Sequence, residues 1–271
     1  MAVELKRRRN NKYRSRQTEA QVKALFLDYD GTISPLNVPR TESTVLPANM
    51  AILRQISRLI PVAVITTKDL SFVVKRTPFA CAWATLGGLE IKIGNVVTLA
   101  PCVKKMTPYL KTALEYAKSL LSDGLLIEEK RDSEGVVVAF SVDWRQAKNK
   151  FAAEERSSKI VSYCEALPIF TIKYEGQPFL DFFPCPISKG KALLKLKQKL
   201  GLSDGILYMG DSSIDNAAFE VADIGVGVLH EETPGDLVCD YFVKFENVAI
   251  FLKGLLENGF CLSPKLPLIF A

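Results

Sequence analysis

The sequence predicts an α/β chain: a core built on a parallel sheet, interrupted midway by a smaller unit of helices and hairpins. Three observations lead there. Apolar runs at residues 22–27, 61–65 and 205–209 each end in polar or acidic turn residues, as strands buried on both faces of a parallel sheet do. From about residue 21 to 100, strand-like runs alternate with helix-like ones. After Pro101 the pattern changes, and it changes back only after Pro186.

Val22 to Leu27, broken only by Lys23, is the first core strand. It runs into Asp28-Tyr29-Asp30-Gly31-Thr32. Two carboxylates at the carboxyl end of a strand lie where open α/β sheets bind ligands. Asp28 and Asp30 have the same parity and leave the strand on one side. Like charges that close stay ionised together only when a cation intervenes. Carboxylate oxygens suit a hard divalent metal, and Mg²⁺ is the simplest candidate. Pro61 to Ile65 is the second strand and ends in Thr66-Thr67-Lys68-Asp69.

The inserted unit follows. A helix is expected over 103–121, with Met106, Leu110, Leu114 and Ala117 at helical spacing. Leu125 to Lys130 and Val136 to Val142 flank Asp132-Ser133-Glu134-Gly135 and predict a hairpin. A second helix is expected over 147–166. A second hairpin joins Ile169–Tyr174 to Pro178–Phe183 and turns at Glu175-Gly176-Gln177. The order αββαββ assigns 102–186 to an insert and 21–101 with 187–271 to the core. The core resumes at Ser188-Lys189-Gly190-Lys191-Ala192, which opens an amphipathic helix to about Leu200. Gly205 to Met209 forms another buried strand. It ends in a second acidic cluster, Gly210-Asp211-Ser212-Ser213-Ile214-Asp215-Asn216.

With 271 residues, 48% of them hydrophobic, the chain can bury a substantial core. No apolar stretch is long enough to span a membrane, and no signal-peptide core follows the charged N-terminus, so a cytoplasmic location is expected. Residues 1–20 carry seven basic and two acidic side chains and hold the whole net charge of +5. The remaining 251 residues balance at 28 of each sign. A basic tail can touch nucleic acid. With no aromatic platform or recognition helix beside it, a disordered solubilising extension is the expected reading. The six cysteines form no C-x-x-C, and there is one histidine, His230, which argues against a zinc site. Oligomeric state is not legible.

Asp-Gly before a turn is also ordinary capping chemistry, and a lone Thr66 or Lys189 reads as a strand-end threonine or a solvated helix lysine. Four such motifs in order are another matter. DYDGT, a Thr after the second strand, a Lys at a helix start, and GDSSID resemble the motifs of the haloacid-dehalogenase superfamily of phosphotransferases, whose core is Rossmann-like. The resemblance implies that Asp28 is the nucleophile forming an aspartyl-phosphate and that Asp30 is the general acid/base. Thr66 would bond the phosphoryl oxygens, with Gly31 and Thr67 beside the substrate. Lys189, with Lys191 as the alternative, would offset the charge of Asp28 and phosphate. Asp28, the Asp30 carbonyl, Asp211 and Asp215 would hold Mg²⁺. The αββαββ insert would be a type-2 cap, which excludes water and selects the substrate.

The cap narrows the likeness further. Ile127-Glu128-Glu129-Lys130 with Val142-Asp143-Trp144-Arg145 resembles the E-x-K and H-Y-R stretches of trehalose-6-phosphate phosphatases. Phe179-Leu180-Asp181-Phe182-Phe183-Pro184 and Trp83 to Ile91 resemble two further stretches. On these positions Glu128, Lys130 and Arg145 would contact sugar hydroxyls or phosphate; otherwise they form an exposed charged face. Several positions depart from the pattern: Thr66-Thr67-Lys68 for S-G-R, Gly87 and Asp143 for histidines, Asp181 for Glu and Ser188 for Asp. The expected function is Mg²⁺-dependent hydrolysis of trehalose 6-phosphate. Mannosyl-3-phosphoglycerate, sucrose phosphate or a hexose phosphate are alternatives, and a non-catalytic binding protein on the same fold is the reading from another class. Cys102 and Cys185 stand at the two linkers between core and cap. A disulfide there needs Cα atoms within about 4.4–6.8 Å, and a reducing compartment opposes it.

Overall fold

A computed structural model describes residues 20–36, 38–122, 124–174, 177–231 and 236–262. The basic segment 1–19 and the turn at Glu175-Gly176 lie outside the described residues. Ala20, the last residue assigned to the tail, pairs antiparallel with Leu262.

The core is an eight-stranded sheet. Its strand order is Tyr241–Lys244, Ile224–Leu229, Ile206–Gly210, Ala24–Leu27, Val62–Ile65, Ala82–Thr85, Glu90–Ile93, Val96–Leu99. The first six run parallel, and Glu90–Ile93 runs antiparallel to both of its neighbours. The pattern up to residue 100 suited a parallel sheet throughout. The edge departs because residues 86–89 and 94–95 are too few for a crossover, and connections that short join only antiparallel neighbours.

Ala24–Leu27 and Ile206–Gly210 lie side by side at the centre and are buried at every position. Side chains of alternate parity therefore enter two separate cores. Leu25, Leu27, Val62, Val64, Leu207 and Met209 pack on one face with the helices Pro47–Ile56 and Val248–Glu257. Ala24, Phe26, Ala63, Ile65, Ile206 and Tyr208 pack on the other under the helix Lys189–Lys199.

The segment between Pro101 and Pro186 forms the cap. Helices Pro101–Ser119 and Lys150–Glu165 cover one face of a four-stranded antiparallel sheet ordered Leu126–Arg131, Val137–Asp143, Phe179–Phe183, Phe170–Lys173. It has its own core, with Phe140 stacked on Phe182 at 4.6 Å. The helix bounds differ by a few residues from those expected. The first starts at Pro101, whose fixed φ suits the first helical turn; the second starts at Lys150, where the Asn149 side chain caps it. Among the described residues, no helix is long and apolar enough to cross a membrane.

Candidate active site

The site assembles at the carboxyl ends of the central strands. Asp28 leaves Ala24–Leu27 and is tied to the neighbouring strand by its N–H, which donates to the Met209 carbonyl at 2.9 Å. Lys189 is the first residue of its helix, which Ser188 caps by accepting from the Lys191 N–H. The Lys189 Nζ lies 2.9 Å from Asp28 Oδ1 and 2.7 Å from Asp215 Oδ1. Burial pulls this ammonium down, but Asp215 and Asp28 outweigh it and its pKa is raised. Lys191 is exposed on the helix flank, so Lys189 is the lysine brought to Asp28.

Asp215 is fully buried and saturated. One oxygen accepts from Lys189 and from the Tyr208 hydroxyl; the other accepts from the Ser212 N–H at 3.1 Å and hydroxyl at 2.9 Å. It anchors Lys189 and closes the acidic loop as a capping box. Tyr208 faces inward from a central strand, and its sequence pattern carries no sign of this role.

The remaining carboxylates are poorly compensated. Oxygens of Asp28, Asp211 and Asp215 all lie within 4.8 Å of one another. Burial raises Asp28 to about 7, against the lowering effect of Lys189, with Asp215 raising it further. Burial and the charges of Asp28 and Asp215 push Asp211 well above the carboxylate range. A donor set of buried, mutually repelling oxygens fits a hard divalent cation. Gly31 makes the room: it has φ +71°, and a Cβ there would overlap the Asp211 carboxylate. The Gly31 N–H donates to the Ser34 carbonyl and its own carbonyl accepts from the His230 ring at 2.7 Å.

The Asp30 carboxylate stands apart from the metal-type cluster. It accepts from the Ser43 hydroxyl at 3.1 Å and lies 3.6 Å from the Lys68 ammonium. Thr66 is buried, and its hydroxyl accepts from the Lys68 N–H at 3.2 Å.

Above these groups is a cavity of about 610 Å³. Asp28, Asp30, Thr66, Thr67, Lys68, Lys189 and Asp211 line its floor; Lys130, Arg145, Tyr174 and Phe179 come from the cap. Lys130 is not on a solvated face. It is 1% exposed and bonds Asp181, whose carboxylate also accepts from Ser141 and Tyr174. Arg145 lies on the Asp143 carboxylate and over the Phe179 ring at 5.4 Å. Glu128 shares the face of Lys130 but does not line the cavity, and it bonds Arg40. Lys68 and Tyr174 are site residues that the motif positions alone did not single out.

An α/β core with Asp28, Lys189 and an acidic loop gathered at the carboxyl ends of adjacent strands, under an αββαββ cap, defines the haloacid dehalogenase-like fold. The profile described as haloacid dehalogenase-like hydrolase matches residues 126–247. The chain is 27% identical over 212 residues to the trehalose-phosphate phosphatase of Mycobacterium tuberculosis (strain ATCC 25618 / H37Rv), covering 74% of this chain and 52% of that protein. It is 25% identical over 253 residues to the probable trehalose-phosphate phosphatase 4 of Oryza sativa subsp. japonica, covering 86% and 65%. The chain thus spans about half the length of the first of these curated relatives. The solved C-terminal domain of the C. albicans trehalose-6-phosphate phosphatase superposes with a TM-score of 0.71 at 17% identity, covering 88% of this chain and 93% of that one. The chain has a capped haloacid dehalogenase-like fold, and its sequence is similar to those of trehalose-phosphate phosphatases.

Proposed function

We propose that the chain is a Mg²⁺-dependent phosphomonoesterase that hydrolyses a sugar phosphate, trehalose 6-phosphate, through an aspartyl-phosphate on Asp28. The observation that carries this reading is the Lys189 ammonium held between Asp28 and the saturated Asp215, at the floor of a cavity large enough for a disaccharide.

In this reading an Asp28 oxygen attacks phosphorus and the bond to the sugar oxygen breaks. Asp30 gives its proton to the departing alkoxide. It then takes a proton from water, which attacks the same phosphorus and breaks the bond to Asp28, releasing phosphate. Lys189 offsets the charge that builds on the phosphoryl group, and Thr66 and Thr67 bond its oxygens. The Asp28 and Asp211 carboxylates, with the Asp30 carbonyl, would hold Mg²⁺. When bound there, it lets the carboxylates ionise together and neutralises phosphoryl charge. Lys68, beside Asp30, is placed to orient that carboxylate.

On the cap side, Lys130 and Arg145 are the groups placed to reach the sugar, with the Phe179 ring as an apolar platform. The departures at Asp143 and Asp181 fall beside these groups, bonded to Arg145 and Lys130, while Gly87 lies in the core with its N–H on the Thr66 carbonyl. A cytoplasmic location belongs to the same proposal, and the Cys102–Cys185 pair is the observation that speaks against it.

The test is phosphate release from a panel of sugar phosphates, with and without Mg²⁺, using Asp28→Asn as the control. Trehalose 6-phosphate is expected to turn over fastest. Asp28→Asn is expected to lose at least about 10³-fold, roughly 4 kcal/mol of barrier. A tenth of wild-type activity remaining in Asp28→Asn would overturn the nucleophile assignment.

A further inference from the structure

The cap is fastened to the core differently on its two sides. On the hinge side the join is largely apolar. Leu86 and Leu89 of the core pack with Val103, Val138, Ala139 and Phe183 of the cap, Glu90 Oε1 accepts from the Ser133 N–H at 2.9 Å, and the Cys102–Cys185 bond ties the two ends of the cap segment to each other. At the mouth of the cavity the join is polar and centres on Arg40, in the loop that follows Gly31. The Arg40 guanidinium bonds Asp69 of the core through Nη2 and Glu128 of the cap through Nη1.

The core fixes this guanidinium. Asp69 is buried and immobilised as the cap of the helix Leu70–Arg76, accepting from the Phe72 N–H at 2.9 Å and the Ser71 hydroxyl at 2.7 Å. The guanidinium carbon also lies 4.4 Å from the centroid of the Phe72 ring. A planar fork held along one edge and one face leaves its other edge to engage a carboxylate. Glu128, on the first strand of the cap sheet, meets that edge. Its side chain is 22% exposed and that of Arg40 29%, so water can replace the partner when the pair parts. Neither residue lines the cavity.

We propose that Arg40 is a positioning residue: a core-anchored clasp that holds the cap shut through Glu128 and so sets the fraction of time the cavity is closed. The hinge-side contacts keep the two units joined, while the mouth-side pair decides between open and closed. Glu128 then acts on the substrate through the cap rather than as a group bonded to the sugar. The kinetic consequence rests on the phosphatase reading; the clasp itself does not.

The test measures cap-to-core distance directly. Spin labels are placed at Cys substituted for the exposed Leu59 of the core and Phe151 of the cap, with Cys81, Cys239 and Cys261 changed to Ser. Arg40→Gln and Glu128→Gln are each expected to raise the open-to-closed ratio by about three- to tenfold, and the double variant to go no further than either single. In kinetics, Arg40→Gln is expected to raise KM for the sugar phosphate more than it lowers kcat. Arg40→Lys is expected to restore part of the closed population. An unchanged distance distribution in both singles, or single effects that add in the double, would overturn the proposal. Should Arg40→Gln fail to fold, Glu128→Gln in the half-exposed cap strand decides alone. Failure of the phosphatase reading would appear separately, as no phosphate release from the unsubstituted protein.

Discussion

The Nζ of Lys130 lies 2.6 Å from Oδ1 of Asp181, with both side chains buried. The pair joins the first and last hairpins of the cap across Val137–Asp143, and Ser141 and Tyr174 also donate to the Asp181 carboxylate. Removing one member leaves a buried charge without a partner, which costs about 3–5 kcal/mol. Lys130→Met and Asp181→Asn are each expected to destabilise strongly in urea unfolding, and Lys130→Met/Asp181→Leu to recover much of the loss. Lys130→Met with wild-type stability would show that the pair carries no such weight.

Asp30 is expected to act on both chemical steps. Asp30→Asn should slow transfer to Asp28 and hydrolysis of the intermediate by about 10²–10⁴-fold each. In single-turnover measurements the first step should suffer less with p-nitrophenyl phosphate than with a sugar phosphate, because a good leaving group needs no proton. Equal losses on the two substrates would argue against Asp30 as the acid.

Cation binding should appear as stability. Asp28 and Asp211 are buried and pushed upward, so a divalent ion that binds only the folded state stabilises it. Mg²⁺ at a hundred times its dissociation constant contributes about 2.7 kcal/mol. Thermal melts are expected to rise with Mg²⁺ in the parent protein and to stay flat in Asp211→Asn. An equal rise in Asp211→Asn would move the ion elsewhere.

Glu90 gives a pH dependence. Its carboxylate is buried in the joint between core and cap, and burial raises its pKa against the hydrogen bonds from Ser133 and Thr85. With the folded value above the unfolded one, the folded state binds the proton more tightly. The favourable contribution is therefore present below the ordinary Glu range and is lost as pH rises through the folded value. Glu90→Gln keeps the acceptor for Ser133 and removes the charge. Stability measured from pH 4 to 8 is expected to fall less in Glu90→Gln than in the parent; parallel curves would contradict this.

The Cys102–Cys185 pair closes a long loop, with 83 residues of sequence separation and Cα atoms 6.4 Å apart. Alkylation and intact mass of protein purified without reductant are expected to count four of the six cysteines as free, and six after reduction. By loop entropy the bond contributes about 4–5 kcal/mol, so reduction should lower the melting temperature. Six thiols without reductant would remove the bond.

The catalytic half of the site was written into the chain because it sits on local structure. A buried strand ending in Asp28-Tyr29-Asp30-Gly31, a helix opened by Ser188-Lys189 and a strand ending in Gly210-Asp211 are each legible from periodicity and turn chemistry. Parallel strands bring their carboxyl ends to one edge. The αββαββ order of the cap was legible for the same reason.

What the residues of that half do to one another came only from the tertiary structure. Tyr208 reads as an apolar strand residue until the sheet places its hydroxyl on Asp215. The same packing sets Asp215, a residue of the acidic cluster, on the Lys189 ammonium as well. Glu128 and Lys130 have the same parity, so the sequence could put them on one face but could not separate them. Packing of the cap sheet buried Lys130 against Asp181, and cap-on-core docking handed Glu128 to Arg40, a loop residue 88 positions away. Local sequence sets which groups end a strand or begin a helix; the pairing of charges across two lobes is a long-range contact with no local signature, and the closed arrangement of the chain decides it.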